Sequence, residues 1–235
     1  MKKLFSFAAL LFAASISLQA QTVDEIIEKH LAAMGGKEKL LQLNTLKMEG
    51  NFSVQGMEIP VILYQAHNKG QRIELTVMGM TGYVINTPTE GWTFLPFQGQ
   101  SAPEAMPAEA IKESVDALDI QNSLLNYAEK GHKPEYVGKE DFEGTECLKM
   151  SVAMKGGSIV TMYFDPKTYY LIKQVVKTKA TGQEIEQVQT FSNFTKTPEG
   201  YVFPLSMTGF GPGDITFTKV DINKPIDEAL FKPAK

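Results

Sequence analysis

The sequence predicts an α+β domain that is mainly β: a large, curved antiparallel sheet with helical segments as its cover. Three observations lead there. Ten or eleven short segments alternate apolar and polar residues with a period of two. Short, turn-rich connections separate them, which makes neighbouring strands antiparallel by default. Only two stretches carry a helical period, and they are the material available to cover the apolar face of the sheet.

Lys2 and Lys3 open the chain, an apolar run extends from Leu4 to Leu18, and Ala20 precedes Gln21. A basic start, a short apolar core and a small residue at the cut are the parts of a secretory signal, so residues 1–20 are expected to be removed. The run is shorter than the roughly 20 residues needed to cross a bilayer, and no later stretch is long and apolar enough. A soluble, exported protein is expected, not an integral membrane protein. Lipid attachment would need a cysteine where Gln21 stands, and the single cysteine is Cys147.

Removal of the signal leaves 215 of the 235 residues, 21–235, the size of one domain, with one hydrophobic core and no internal disulfide. It also leaves 21 of 23 basic side chains against 27 acidic ones, a net of −6. Phosphate-rich partners are disfavoured by that charge, and no nucleic acid is expected. Arg72 is the only arginine, so the guanidinium forks that serve phosphate sites are almost missing.

The first helix is read in VDEIIEKHLAAMGG, where Val23, Ile26, Ile27, His30, Leu31 and Met34 share a face and Gly35 and Gly36 provide the stop. A shorter helical turn follows at KEKLLQL. The period then changes to two in TLKMEGNFSV, with Leu46, Met48, Phe52 and Val54 on one face and Lys47, Glu49, Asn51 and Ser53 on the other. Further strands are read at IPVILYQ, QRIELTVM, TGYVINT and GWTFLPF. A second group begins near Pro134 and includes TECLKMSVAM, a hairpin in GSIVTMYFDPKTYYLIKQVVK that turns at Asp165 to Thr168, and strands at QEIEQVQTFSNF, YVFPLSMTGF and DITFTKVDI. A sheet of that size curls or closes.

Between the two groups, Pro107 can open a helix and Ile111, Val115, Leu118 and Leu125 share a face, while Asp119 and Asn122 weaken the middle. One broken helix or two short ones are expected over 107–130 as a central cover. The preceding stretch, GWTFLPFQGQSAPEAMPAE, reads as a strand stopped by Pro96 and then a proline-rich loop crossing the mouth of the sheet.

Groups that could carry chemistry do not converge in the sequence. His30, His67 and His132 lie apart and without metal-ligand spacing, and structural or surface roles fit them. Cys147 has no motif context, and no nucleophile elbow, phosphate loop or dinucleotide fingerprint is present. No cofactor is expected. Met48, Met57, Met78, Met80, Met150, Met154, Met162 and Met207 spread over the strands; composition favours gap-filling in a large core, and the same side chains suit a site that takes acyl chains. Arg72 fits equally a clamp on a carbonyl or carboxylate and an exposed strand charge.

The order of signal, amphipathic helix, strands with NKGQRIEL, the Trp92 strand ending at FLPF, a proline-rich passage, a second strand group and the tail NKPIDEALFKPA resembles the LolA-like periplasmic proteins. EIIEKHLAAMGGKEKL, YAEKGHKPEYVGKEDFEGTECLKM and YFDPKTYYLIKQ are similar to a Bacteroidetes-type branch of them. The resemblance implies a strongly curved antiparallel half-barrel of about eleven strands with helices over its concave face. It implies a non-enzymatic periplasmic carrier whose cavity holds lipid or lipoprotein acyl chains and passes them toward the outer membrane. Trp92 and Pro96 match the family's aromatic strand and turn, Arg72 a frequent arginine, and Pro225, Ile226, Asp227 and Phe231 the closing segment. Where carriers show an arginine followed by proline, this chain reads AHNKGQ.

On that reading the ligand-binding candidates are Met48, Phe52, Leu63, Arg72, Leu75, Trp92 and Phe94 from the sheet and Leu118, Leu124 and Leu125 from the cover. Two other readings stay open: a module that docks on an envelope membrane-protein complex through an outer face or edge strand, and an uncharacterised hydrolase, which would need polar groups converging in a pocket.

Overall fold

The computed structural model describes residues 23–180, 183–209, 211 and 213–233. The expected signal, 1–20, lies outside the described residues. The described residues build one curved, open antiparallel sheet of thirteen strands in the order β6-β5-β4-β3-β2-β1-β13-β12-β11-β10-β9-β8-β7. The first meander runs β1 Thr45–Val54, β2 Met57–Ala66, β3 Gly70–Val77, β4 Met80–Asn86, β5 Gly91–Phe94 and β6 Glu104–Ala105. The second runs β7 Lys133–Phe142, β8 Thr145–Ala153, β9 Ile159–Phe164, β10 Leu171–Ala180, β11 Gln183–Lys196, β12 Val202–Thr208 and β13 Asp214–Ile222. Pairing of β1 with β13 joins the two, so the strands nearest the two ends of the described chain lie at the centre of the sheet.

Thirteen strands replace the expected eleven, and part of the difference lies in the stretch read as a loop. Glu104 and Ala105 pair with Thr93 and Trp92, and Met106 N–H donates to the Gly91 carbonyl. The backbone beyond Pro96 forms a 3-10 turn, Pro96–Gln98, and then returns to the sheet as its edge strand β6. Proline after β5 ends the ladder as expected, yet the free carbonyls and N–H groups of β5 recruit the next extended residues.

Helix α1 covers 23–33, α2 is Lys37–Leu40 and α3 is Ala108–Ser114. The central segment is less helical than its spacing suggests. After α3 a 3-10 turn spans Val115–Leu118, and 119–131 contains no α-helix, only turns and irregular backbone. Asn122 and Asn126 adopt left-handed backbone angles, φ 91° and 52°, which a helix cannot continue through and which asparagine tolerates better than most residues. No side chain of α3 is buried and Val115 is exposed, so Ile111 and Val115 add no residue to the core. The buried residues come instead from the turns: Leu118, Leu124 and Leu125 are each 1% exposed.

Strand parity divides the apolar side chains between two faces. Met48, Leu63, Ile73 and Val84 stand opposite one another across β1, β2, β3 and β4, so they share one face, here the inner face. On the β8–β9 side of the inner face Met150, Val152, Val160, Met162 and Phe164 pack against Val23, Ile26, Ile27 and Leu31 of α1 and against Leu124 and Leu125. His30 sits in this layer as a buried polar group. Its Nδ1 lies 2.8 Å from the Tyr169 carbonyl and its Nε2 2.9 Å from Asn122 Nδ2. A neutral ring with the proton on Nδ1 satisfies both, donating to Tyr169 and accepting from Asn122. The ring also meets Phe164 edge-on at 5.0 Å between centroids.

Glycine matters at one place in the central pairing. The register of β1 on β13 slips between Glu49 and Gly50, and there a Cβ on Gly50 would lie 2.1 Å from the Thr216 carbonyl oxygen. A bulge that brings two backbones so close accepts no side chain.

Burial lowers the His30 pKa to about 4, the Tyr169 hydrogen bond only partly opposing it. The unfolded chain therefore binds a proton that the folded chain refuses, and stability is full above pH 6.5 and falls as pH drops toward 4. The contribution is about 3 kcal/mol by the size of the shift. Urea unfolding at pH 7 and pH 4.5 should show this loss, with a shallower pH slope in His30→Gln. A residual slope of the same sign is expected from His67 and His132, which burial also lowers.

Candidate functional site

The inner face is solid under α1 and holds a hollow over β1–β3. A cavity of about 420 Å³ lies on β1, β2, β3, β12 and β13, roofed by Met34, by Leu40 and Leu43 from α2 and its following turn, and by 117–122. Its floor is apolar: Leu46 and Met48 from β1, Val61 and Leu63 from β2, Ile73 from β3, and Ile215 and Phe217 from β13. Strand alternation alone produces this lining, since every second residue of β1 and β2 points the same way.

The roof is held by polar contacts to the rest of the chain. Asn68 N–H donates to the Leu118 carbonyl at 2.9 Å, and Gln121 Nε2 donates to the carbonyls of Leu41 and Leu43 at 3.0 and 3.1 Å. Lys130 Nζ donates to Asp119 Oδ2 at 2.5 Å and to the Asn122 carbonyl at 2.8 Å. His67 Nδ1 lies 3.5 Å from Asp119 Oδ1 yet makes no hydrogen bond. Desolvation holds the His67 pKa below the ordinary imidazole value, against the pull of Asp119.

Of the ten sequence candidates, Met48 and Leu63 line the cavity. Phe52 and Leu75 pack on the same inner-face cluster, toward the far end of β1 and β3, and are not part of the cavity wall. Leu118 is buried at the roof, one residue from the lining groups Ala117 and Asp119, while Leu124 and Leu125 belong to the solid core under α1.

Trp92, Phe94 and Arg72 are on the opposite face. The register sets Trp92 across from Ile85 and Arg72 across from both Ile85 and Tyr64, one residue out of phase with the Leu63 and Ile73 row. There Trp92 and Phe94 pack with Tyr64, Tyr83, Ile85, Ile226 and Phe231. Arg72 lies 4.0 Å from the Tyr83 ring centre, pairs with Glu74 through Nε at 2.7 Å, and donates from Nη1 to the Leu230 carbonyl at 3.1 Å. It does clamp a carbonyl, and the carbonyl belongs to its own C-terminal segment. Gly70 makes room for this docking, since a Cβ there would meet the Phe231 ring at 2.6 Å.

Among the lining residues that sequence reasoning missed are the polar ones, Gln65, Gln71, Asp119 and Asn122, and also Ile120, Phe191 and Phe203. Gln65 and Gln71 were findable, because each continues the period-two row of Leu63 and Ile73. The remaining chemistry-bearing groups stay apart. Cys147 is buried with Tyr163 and Val175 on the outer face, and burial raises its pKa. Among the described residues no group of three His, Cys, Asp or Glu side chains could hold a metal ion, and no helix is long and apolar enough to cross a membrane.

No protein-family model and no curated sequence matches this chain. Solved structures do. A protein domain from Vibrio parahaemolyticus described as outer membrane lipoprotein-sorting has 13% identity and a TM-score of 0.56 over 91% of this chain and 97% of its own. A LolA superfamily protein from Nitrosomonas europaea has 10% identity and a TM-score of 0.54 over 89% and 97%. A DUF1329 family protein from Desulfovibrio piger has 14% identity and a TM-score of 0.56 over 89% and 97%. The fold of this chain is the LolA-like half-barrel, with similarity that spans nearly the whole of each of these proteins.

The position of Trp92 is open to direct measurement. Its indole Nε1 is buried and unpartnered under the outer-face cluster. Its fluorescence should be that of a shielded indole and should stay unchanged when an apolar molecule fills the cavity. A large ligand-dependent shift or quench would place the tryptophan at the site instead. Cys147 should react with a thiol reagent only after unfolding.

Proposed function

We propose that this protein is a non-enzymatic binding or carrier protein that holds a lipid or lipoprotein acyl chain in the inner-face cavity and acts in the periplasm after export. The observation that carries this reading is the apolar cavity itself, set where the half-barrel face is covered on one side and left hollow on the other. Cavities of ~300–1,000 Å³ are the usual size for small-molecule sites. Each methylene moved from water into such a site contributes ~0.8 kcal/mol, so a chain of eight or ten gives useful affinity after the losses of association. The similar Vibrio domain, described by its role in lipoprotein sorting, supports the same direction. No cofactor takes part, and the residues of the cavity hold the ligand without a chemical step.

A second reading, docking on an envelope membrane-protein complex, is favoured by one feature. Met57, Met78 and Met80 are exposed at the β1–β2 and β3–β4 turns, Met78 by 90%. Flexible thioether side chains held out in water suit an adaptable apolar contact.

Organic extraction of the purified protein should yield co-purified lipid, and N-phenyl-1-naphthylamine should bind saturably. Leu63→Asp, which sets a charge on the cavity floor, should weaken that binding at least tenfold with the fold retained by circular dichroism. A protein free of lipid that takes up none of the reporter would sink the carrier reading. Met78→Ser should leave reporter binding unchanged, and a drop in its co-fractionation with membranes would support docking.

A further inference from the structure

The cavity has one polar end, and its composition restricts what the ligand can carry there. Gln65 and Gln71 face each other across β2 and β3, one step beyond Leu63 and Ile73 toward the β2–β3 turn. They share a single hydrogen bond, Gln65 Nε2 to Gln71 Oε1 at 3.4 Å, and both line the cavity. An amide has two donors and two acceptor positions, so each keeps capacity for a ligand atom.

Charge at this end is already balanced. Among the described residues Asp119 is the only charged side chain in the lining, and no Lys, Arg or His lines it. The Asp119 carboxylate accepts from Lys130 Nζ and from Gln121 N–H, and Lys130 is engaged a second time by the Asn122 carbonyl. His67, beside Asp119, is kept toward its neutral form by burial. A ligand carboxylate would therefore enter an apolar cavity with no cation free to meet it and a carboxylate at its side. Burying an unpaired ion is among the largest penalties a site can impose.

Size sets the scale of the ligand too. At about 420 Å³ the cavity lies toward the lower end of the range for small-molecule sites, the scale of one chain.

We propose that the cavity selects a single-chain amphiphile whose polar end is uncharged and hydrogen-bonding, seated on Gln65 and Gln71, and rejects the corresponding free fatty acid. An amide, ester or alcohol end fits; an ionised carboxylate does not. This rests on the reading of the cavity as an acyl-chain site and assigns it a head-group preference.

Dodecanamide and dodecanoate test it, because they match in length and differ in charge. In displacement of N-phenyl-1-naphthylamine from the purified protein at pH 8, dodecanamide should bind at least tenfold more tightly. Asp119→Asn releases Lys130 from its partner and should raise the affinity for dodecanoate relative to dodecanamide about tenfold. Gln65→Leu with Gln71→Leu should reduce the preference for dodecanamide, with thermal melts confirming folded variants. Equal or tighter binding of dodecanoate by the unaltered protein overturns the inference and leaves the acyl-chain reading standing. The same holds if the reporter binds and neither ligand displaces it. Failure of the reporter and of both ligands to bind overturns the two together.

Discussion

The pairing of β1 with β13 is the contact on which the rest of the structure depends. It is the longest-range connection in the sheet, joining Leu46 to Ile222 and Ser53 to Asp214. Without it there would be two meanders, each with an apolar face and an open central edge. With it there is one curved surface wide enough to be packed on one side and hollow on the other. Because that closure spans most of the chain, its entropy is lost before the central strands contribute, and slow folding is characteristic of such topology. The bulge at Gly50 lies inside this same pairing, so a side chain there would act on the joint between the halves.

The difference between the halves follows from what is available to fill them. Helix α1 carries an apolar stripe, and with Leu124 and Leu125 it fills the space over β8 and β9. Over β1–β3 the cover is thinner: α2 is one turn, and 117–122 contributes the small Ala117 and polar Asp119 and Asn122 beside Ile120. Ile120 reaches the floor cluster, but so short a layer leaves space around it. The roof is held by hydrogen bonds from Asn68 and Gln121 to backbone carbonyls and by burial of Leu40, Leu43 and Leu118, and the hollow lies beneath it.

The fold was legible because it rests on local period. TLKMEGNFSV, with its neighbours, showed which segments are strands, and short turns made them antiparallel. Two short-range features were not legible. Strand β6 is two residues long and exists only because β5 leaves an open edge beside it, which no residue in 104–105 announces. The central helix ended at Leu118 as Asp119 turned extended, and it did not resume because Asn122 and Asn126 took left-handed angles, an option their identity permits without requiring. In the site, Met48 and Leu63 were readable from alternation on their own strands. Trp92, Phe94 and Arg72 were assigned to the cavity by residue type and by position near its strands, and type does not specify a face.

The face of Trp92 shows what information was missing. Within β5 the period says that Trp92 and Phe94 point together, but it gives no sign relative to Met48 four strands away. That sign is set by the register of each intervening pair, and a slip of one residue at any of them would reverse it. What fixes the sign physically is the outer-face layer: Arg72 on the Tyr83 ring, Phe231 over Gly70, and Ile226 against the aromatic cluster. The C-terminal segment thus acts on the cavity from the opposite side of the sheet. By burying one row of side chains from β2 to β5 it commits the alternate row, with Leu63, Gln65, Gln71 and Ile73, to the hollow.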